Sequence, residues 1–288
     1  MITVHDDISA IAERYDGFIL DLWGVLHDGT RTYPGVPEAM RRLHDAGKRI
    51  ALLSNAPRRS AQAEKRAVEL GVPAGKYDLV MTSGEDTWHH FRDRPDDFYR
   101  GLGRRCFHIG PERDENLFDG VDLVRVDDVG RADFLLNSGP WGYDETLADH
   151  EARLQAAAAR GLPMVCANPD LIVMVGLRIV ICAGTIARRY EELGGVVRYH
   201  GKPHRGVYDR MMPVFDGIPH ARICAIGDTL RTDVAGAAAF GLDSFLVTGG
   251  VHAEEFGIAP GGRPDPALVE AACRREGHRP TGALVGFR

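Results

Sequence analysis

Short apolar runs that stop abruptly at polar residues recur along this chain, and stretches with helical spacing separate them. The first run, Phe18, Ile19 and Leu20, ends in Asp21 and is broken by Gly24, the pattern of a buried strand that delivers a carboxylate to a sheet edge. Before it, Ile8, Ile11, Ala12 and Tyr15 recur at helical spacing and predict a short helix packed on that edge. After it, LHDGTRTYPG is rich in turn formers and reads as a mobile flap over Asp21. Pro37 then opens a helix with Met40, Leu43 and Ala46 on one face, ended by Gly47. A strand over 49–55 carries Ser54 and Asn55 to the same edge, and a helix from about Arg58 to Leu70 follows, stopped by Gly71. A strand over 78–83 and a helix starting near Gly84 complete this first part.

From about residue 85 the pattern changes. RRCFHIG, VDLVRV and ADFLLNSG are short strand-like runs, an Ala-rich helix spans Asp144 to about Arg160, and MVCANPDLIVMV and RIVICAG follow. This reads as a second α/β layer with its own small core. The helix GTIARRYEELGG, strand VVRYH, a helix over 205–215, strand RICAIGD, a helix over 231–240 and strand DSFLVTGG are expected to rejoin the first part. Alternation at this length predicts a parallel, doubly wound sheet. The last dozen residues, with His278, Pro280 and Gly282, read as a loosely packed tail.

Composition narrows the function only slightly. A formal charge of −6 gives no reason to expect nucleic-acid or anionic-membrane binding, although a local basic pocket could still take a small phosphorylated molecule. The five cysteines are an odd set without C-x-x-C spacing, four of them inside apolar runs, so they read as core thiols in a reducing compartment. No stretch reaches the roughly 18 apolar residues of a membrane span, and the N-terminus lacks a basic head followed by an apolar run. A cytoplasmic protein is expected, with its oligomeric state open to a homo-oligomer.

The chemistry lies in four stretches taken together: DLWGV, LLSNAPR (52–58), HGKPH (200–204) and AIGDTLRTD (225–233). Singly, Asp21, Ser54, Asp228 and Asp233 read as turn or helix-cap residues and Lys202 as a surface lysine. In this order and spacing they resemble the four signature motifs of the haloacid dehalogenase-like (HAD) hydrolase superfamily, over about residues 15 to 250. The long interval between the second and third motifs resembles subclass IIA. The local wording is similar to a bacterial group of predicted sugar or nucleotide phosphatases with D-x-W in place of D-x-D. The resemblance implies a doubly wound, Rossmann-like α/β HAD core over 1–84 and 182–288, with an α/β cap domain inserted over 85–181.

Phosphoryl transfer needs a carboxylate to attack, a divalent cation to neutralise charge, and donors for the phosphoryl oxygens. Asp21 is the expected nucleophile, forming an aspartyl-phosphate. Asp228 is expected to help hold Mg²⁺ beside Asp21, since a hard cation takes oxygen donors; the resemblance implies the backbone carbonyl of Trp23 as a further ligand, and Asp233 as the motif's second acid, which supports the metal shell or orients the lysine. Ser54 and the amide of Asn55 would bind phosphoryl oxygen, and Lys202 would stabilise its charge. Asn168 and Asp170 resemble the N-P-D turn of the cap and are expected to contact the leaving group, with an ordinary turn as the other reading. Trp141 and Tyr143 either line the same cleft or pack within the cap.

Position 23 departs from the family. Its second Asp acts as general acid and base, and Trp23 has an indole N–H that cannot shuttle a proton. Either the substrate has a good leaving group, such as an acyl phosphate or phosphoanhydride, or another residue substitutes, with His27 and Asp28 nearest in sequence and a plain turn as their alternative role. The expected function is Mg²⁺-dependent hydrolysis of a small phosphorylated metabolite. Two alternatives stay open: dehalogenase-like hydrolysis at carbon, and a non-catalytic phosphometabolite-binding protein.

Overall fold

The computed structural model describes residues 2–175, 178–250, 252–258 and 262–288. Strands run in chain order Val4–His5 (β1), Gly17–Leu20 (β2), Arg49–Ser54 (β3), Leu79–Thr82 (β4), Arg105–Ile109 (β5), Val124–Val126 (β6) and Phe134–Asn137 (β7). They continue as Met164–Cys166 (β8), Ile172–Val175 (β9), Arg178–Ile181 (β10), Val197–Tyr199 (β11), Ile223–Gly227 (β12), Asp243–Val247 (β13) and Gly282–Leu284 (β14). Residues 176 and 177, between the runs MVCANPDLIVMV and RIVICAG, lie outside the described residues. The chain divides into two compact units, one of residues 1–54, 64–81 and 208–288, the other of 55–63 and 82–207.

The first unit is built on a seven-stranded sheet of order β1-β14-β13-β12-β2-β3-β4. Every pairing from β1 across to β3 is parallel. Reversal of strand order beside β2 puts a topological switch point next to Asp21, where open α/β sheets bind ligands. The helix Val36–Asp45 shows why the apolar pattern folds as it does. Pro37 suits its first turn, and Val36, Ala39, Met40 and Leu43 form a buried stripe at spacings of three and four. That stripe joins a core with Phe18, Leu20, Ile50 and Leu52 from the sheet.

The second unit has a five-stranded parallel sheet of order β11-β8-β7-β5-β6 and a separate antiparallel hairpin of β9 with β10. The expected boundary at 181 is corrected here. β11 pairs with β8, and the helix Ala183–Glu192 buries Ala183, Ile186, Ala187 and Tyr190 in the core of this second sheet. The Tyr190 hydroxyl donates to the Leu162 carbonyl at 2.6 Å. Strand and helix signals carry no information about which of two parallel sheets a strand joins, so the expected crossover back to the first unit falls one strand too early.

Three local expectations also change. Ile8 and Ile11 are buried as expected, but Ile8–Ala10 forms a single 3-10 turn capped by Asp7, because a spacing of three suits either helix type. The flap is tied down at its start: Leu22, Val25 and Leu26 join the core, and Thr32 donates its N–H to Leu70 O and its hydroxyl to Leu26 O, each at 2.8 Å. The supposed tail is a sheet strand, β14, lying between β13 and β1, with Ala283 and Leu284 fully buried and Phe287 nearly so. Gly282 there marks close packing, since a Cβ would stand 2.9 Å from the Phe245 ring. All five cysteines are buried and free of disulfides. No helix among the described residues is long and apolar enough to cross a membrane.

Leu284→Ala tests the role of the last strand. Truncating a buried leucine removes transfer free energy and leaves a cavity, so urea unfolding is expected to lose about 2–5 kcal/mol of stability. A loss below about 0.5 kcal/mol would show that β14 is not part of the core.

Candidate active site

In the first unit three carboxylates converge. Asp21 follows β2 and Asp228 follows β12, and these strands are neighbours in register Leu20 to Ile226, with Asp21 N donating to Ile226 O at 2.9 Å. Asp233 comes in from the turn Leu230–Val234 that starts two residues after Asp228. One carboxylate oxygen from each of the three lies within 4.8 Å of the others, and all three side chains are buried. Thr229 orders the pair from Asp228 to Asp233, donating its hydroxyl to Asp228 Oδ1 at 3.1 Å and its N–H to Asp233 Oδ2 at 3.2 Å. Ser54, at the end of β3, is buried on the same carboxyl edge, since β3 pairs with β2 as Leu52 with Leu20.

Glycine makes this convergence sterically feasible. Gly24 has φ +83°, and a Cβ there would stand 2.0 Å from Asp228 Oδ2; at Gly250 it would stand 2.2 Å from the same atom. Side chains at either position would occupy the space beside the carboxylates. Three buried carboxylates offering only oxygen donors fit a hard divalent cation such as Mg²⁺.

Trp23 does not send its ring into this cluster's chemistry. The indole meets His27 edge-on, with ring centroids 5.6 Å apart, and covers Gly29, where a Cβ would stand 2.2 Å from its ring. His27 is buried, and burial lowers its pKa to about 4, so it is neutral near pH 7. Its Nδ1 accepts from Gly29 N at 3.2 Å. Asp28 closes a turn: despite the opposing effect of burial, hydrogen bonds from the Thr30 hydroxyl and the Thr30 and Arg31 amides hold its carboxyl below the usual range. Neither residue is arranged as a proton donor. Sequence reasoning passed over Tyr33, whose phenol is pushed up to about 12 by burial and by the negative charge of Asp228 and Asp28. Nothing in its spacing signalled this.

The second unit assembles the remaining candidates. Lys202 is buried, directly after Gly201 at φ +91°. The Asn55 side chain clamps its backbone: Oδ1 accepts from Lys202 N at 2.8 Å, and Nδ2 donates to Lys202 O at 3.0 Å and to Asp170 Oδ1 at 2.8 Å. A Cβ at position 201 would stand 2.5 Å from Asn55 Oδ1, which explains the glycine. Asn55 thus spends its side chain on positioning Lys202 and Asp170, and only its backbone N–H remains for the phosphoryl role expected of it. Asn168 accepts from Asp170 N at 2.9 Å, an Asx turn that orients Asp170. Trp141 stacks on His150 at 5.4 Å within this unit's core, the packing alternative.

Another support was illegible in the sequence. His200, just before the Gly201–Lys202 turn, holds Asp86 Oδ2 from Nδ1 at 2.6 Å and is hydrogen-bonded through Nε2 to the Tyr99 hydroxyl. Burial opposes the charge on Asp86, yet hydrogen bonds from His200 and His90 keep its carboxyl well below the usual range. Burial likewise lowers the pKa of His200. Asp86, His90 and His200 present ligand atoms within 4.8 Å of one another, but both nitrogens of His200 are engaged by protein groups, which suits a brace for the lysine turn. Asp86 and His200 are 114 residues apart in the chain, beyond the reach of local pattern.

Residues 18–124 match the family described as haloacid dehalogenase-like hydrolase, and residues 199–272 match the HAD-hydrolase-like family. A solved hydrolase of the haloacid dehalogenase-like family from Brucella suis is 35% identical, covers 99% of this chain and 100% of its own, and superposes with a TM-score of 0.84. The chain belongs to the haloacid dehalogenase-like hydrolase family. This HAD-like hydrolase is also 28% identical to a human glycerol-3-phosphate phosphatase, over 84% of this chain and 81% of the relative. It is 23% identical to the 5'-nucleotidase YutF of Bacillus subtilis, over 84% and 91%.

Asp228→Asn tests whether the HAD-like hydrolase holds a cation at its three carboxylates. With Mg²⁺ at a hundred times its dissociation constant, the wild type is expected to gain about 2.7 kcal/mol of stability in urea unfolding. The variant should gain less than about 0.5 kcal/mol, because a hard cation loses one of its charged oxygen ligands. An undiminished gain would place the cation elsewhere.

Proposed function

We propose that this HAD-like hydrolase is a phosphatase that releases phosphate from a small phosphorylated metabolite by way of a covalent phosphoryl-aspartate at Asp21. The observation that carries the reading is the meeting of Asp21, Asp228 and Asp233, buried on adjacent strand ends. Asp21, Asp228, Asp233 and the Trp23 backbone carbonyl would hold Mg²⁺, which would supply charge neutralisation at the phosphoryl group. Ser54 and the Asn55 N–H hold phosphoryl oxygen, and Lys202 balances its charge. Asp170, oriented by Asn168 and Asn55, serves the leaving-group side.

Attack by the Asp21 carboxylate on phosphorus forms the acyl phosphate and expels the leaving group, and water then cleaves the acyl phosphate. The leaving group departs without a side-chain acid at position 23, and His27 is neutral there. General acid catalysis contributes about 10²–10⁴-fold, a loss felt most by alkoxides. Substrates whose leaving group is stable as an anion are therefore favoured. The retained acidic trio, built for a cation, speaks against metal-free displacement at carbon. A simple anion binder is disfavoured by Asp21, which would repel the anion it has no need to attack.

Turnover of acetyl phosphate, p-nitrophenyl phosphate and methyl phosphate, with Mg²⁺ or chelator, tests this. The two activated substrates, an acyl phosphate and an aryl ester, are expected to be hydrolysed on the order of 10²-fold or more faster than methyl phosphate. Asp21→Asn should abolish both activities, and Trp23→Asp should narrow the gap by restoring an acid. Turnover that survives chelation, or that survives in Asp21→Asn, would contradict the reading.

A further inference from the structure

The turn that carries Lys202 is held by more groups than its closure needs, and they are buried. His200 N donates to Cys166 O at 3.0 Å, extending the pairing of β11 with β8, and His204 N donates to Gly201 O at 2.8 Å, which closes the turn. Gly201 packs so closely that a Cβ there would stand 2.6 Å from Cβ of Ser83. Ser83 opens the helix Ser83–Asp93, and Asp86 lies three residues on, so the two sit on one side of that helix. Asp86 is also in its first turn, where the helix dipole favours a carboxylate.

Tyr99, His200 and Asp86 are each at most 3% exposed, and their surroundings fix where their protons sit. Burial, and then the negative charge of Asp86, push the Tyr99 phenol well above its usual value, so the hydroxyl keeps its proton. Burial lowers the pKa of His200 against the opposing pull of Asp86, which leaves one proton on the ring. An ionised Asp86 can only accept, so that proton sits on Nδ1, 2.6 Å from Asp86 Oδ2. Nε2 is left to accept from the Tyr99 hydroxyl. One tautomer is thereby set, and both ring nitrogens are spent on it. His90 backs the carboxylate from the same helix, its Nδ1 lying 3.4 Å from Asp86 Oδ1 and 2.8 Å from the Asp86 carbonyl oxygen. A ring tied at both nitrogens fixes the chain at position 200, and Asn55 fixes the backbone of Lys202 itself.

We propose that the hydrogen-bond chain from Tyr99 through His200 to Asp86 positions Lys202 for phosphoryl transfer, with His200 as the positioning residue. The inference rests on the phosphatase reading above, in which Lys202 balances phosphoryl charge. Misplacing a reacting group by about 1 Å can cost on the order of 10²-fold in rate, and a flexible lysine stem holds its place only as well as the backbone beneath it. Packing alone does not call for such a chain, since apolar side chains of similar volume often replace buried ionic groups without loss of stability. What the polar chain adds is direction: each member has one partner at a set angle, and the turn bearing Lys202 inherits that order.

Reactivity of Lys202 toward acetic anhydride, read peptide by peptide in a mass spectrometer, tests this without relying on turnover. The buried lysine of the wild type should label slowly, and His200→Gln, which has no planar ring to span both partners, should label at least about tenfold faster. Cys106, buried in the same unit, reports any loosening of the unit as a whole and should stay closed to iodoacetamide in both proteins. In parallel, kcat for p-nitrophenyl phosphate should fall about 10–100-fold. Unchanged labelling of Lys202, or Cys106 opening together with it, would overturn the inference, as would a freed lysine with kcat unaltered. Should His200→Gln fail to fold, Tyr99→Phe is read in the same way, with changes of about threefold for the loss of one hydroxyl. Failure of the phosphatase reading looks different: wild-type protein would hydrolyse neither activated substrate while Lys202 labelling still responded to His200→Gln, which keeps the brace and removes its purpose.

Discussion

Three carboxylates held within 4.8 Å of one another in a buried position impose the constraint around which the first unit is arranged. Two unit charges at that separation repel by about 3 kcal/mol at an effective dielectric constant near 20, so the cluster calls for positive charge at close range. Its cost is accepted by several separate parts of the fold. Neighbouring strands β2 and β12 bring two of the acids side by side, the turn after β12 returns the third, and glycines at 24 and 250 give up their side chains to make room. An arrangement that only stabilised the fold would fill that space with apolar atoms instead.

The same economy explains what happens next to Asp21. Position 23 carries an indole packed against His27 and Gly29, and the turn beyond it is fastened into the core. The segment is built for order, with an indole packed where the resemblance expects a proton-handling side chain. On the proposed phosphatase reading, a site without a side-chain acid at position 23 favours substrates whose leaving group is stable as an anion.

Much of this was legible in the sequence because it was local. A buried strand stopping at Asp21, the S-N pair ending β3, the G-K-P turn and the two acids after β12 each declare themselves within a few residues, and the HAD resemblance supplied their order. Contacts across the chain were not legible. Asn55 clamping Lys202, and His200 braced by Asp86 and Tyr99, join residues more than a hundred positions apart. Strand membership failed for the same reason: β11 has the signal of any short strand, and only its pairing with β8 assigns it to the second sheet. The glycine of β14 misled because glycine marks both loose chain and tight packing, and a neighbouring ring, Phe245, decides which.

Trapping the covalent intermediate tests the central claim most directly. Wild-type protein mixed with acetyl phosphate and Mg²⁺, quenched in acid within a single turnover and digested, should carry the mass of one phosphoryl group on the peptide containing Asp21. That label should vanish when chelator replaces Mg²⁺. Turnover with no labelled peptide, or with the label on a different residue, would contradict the account.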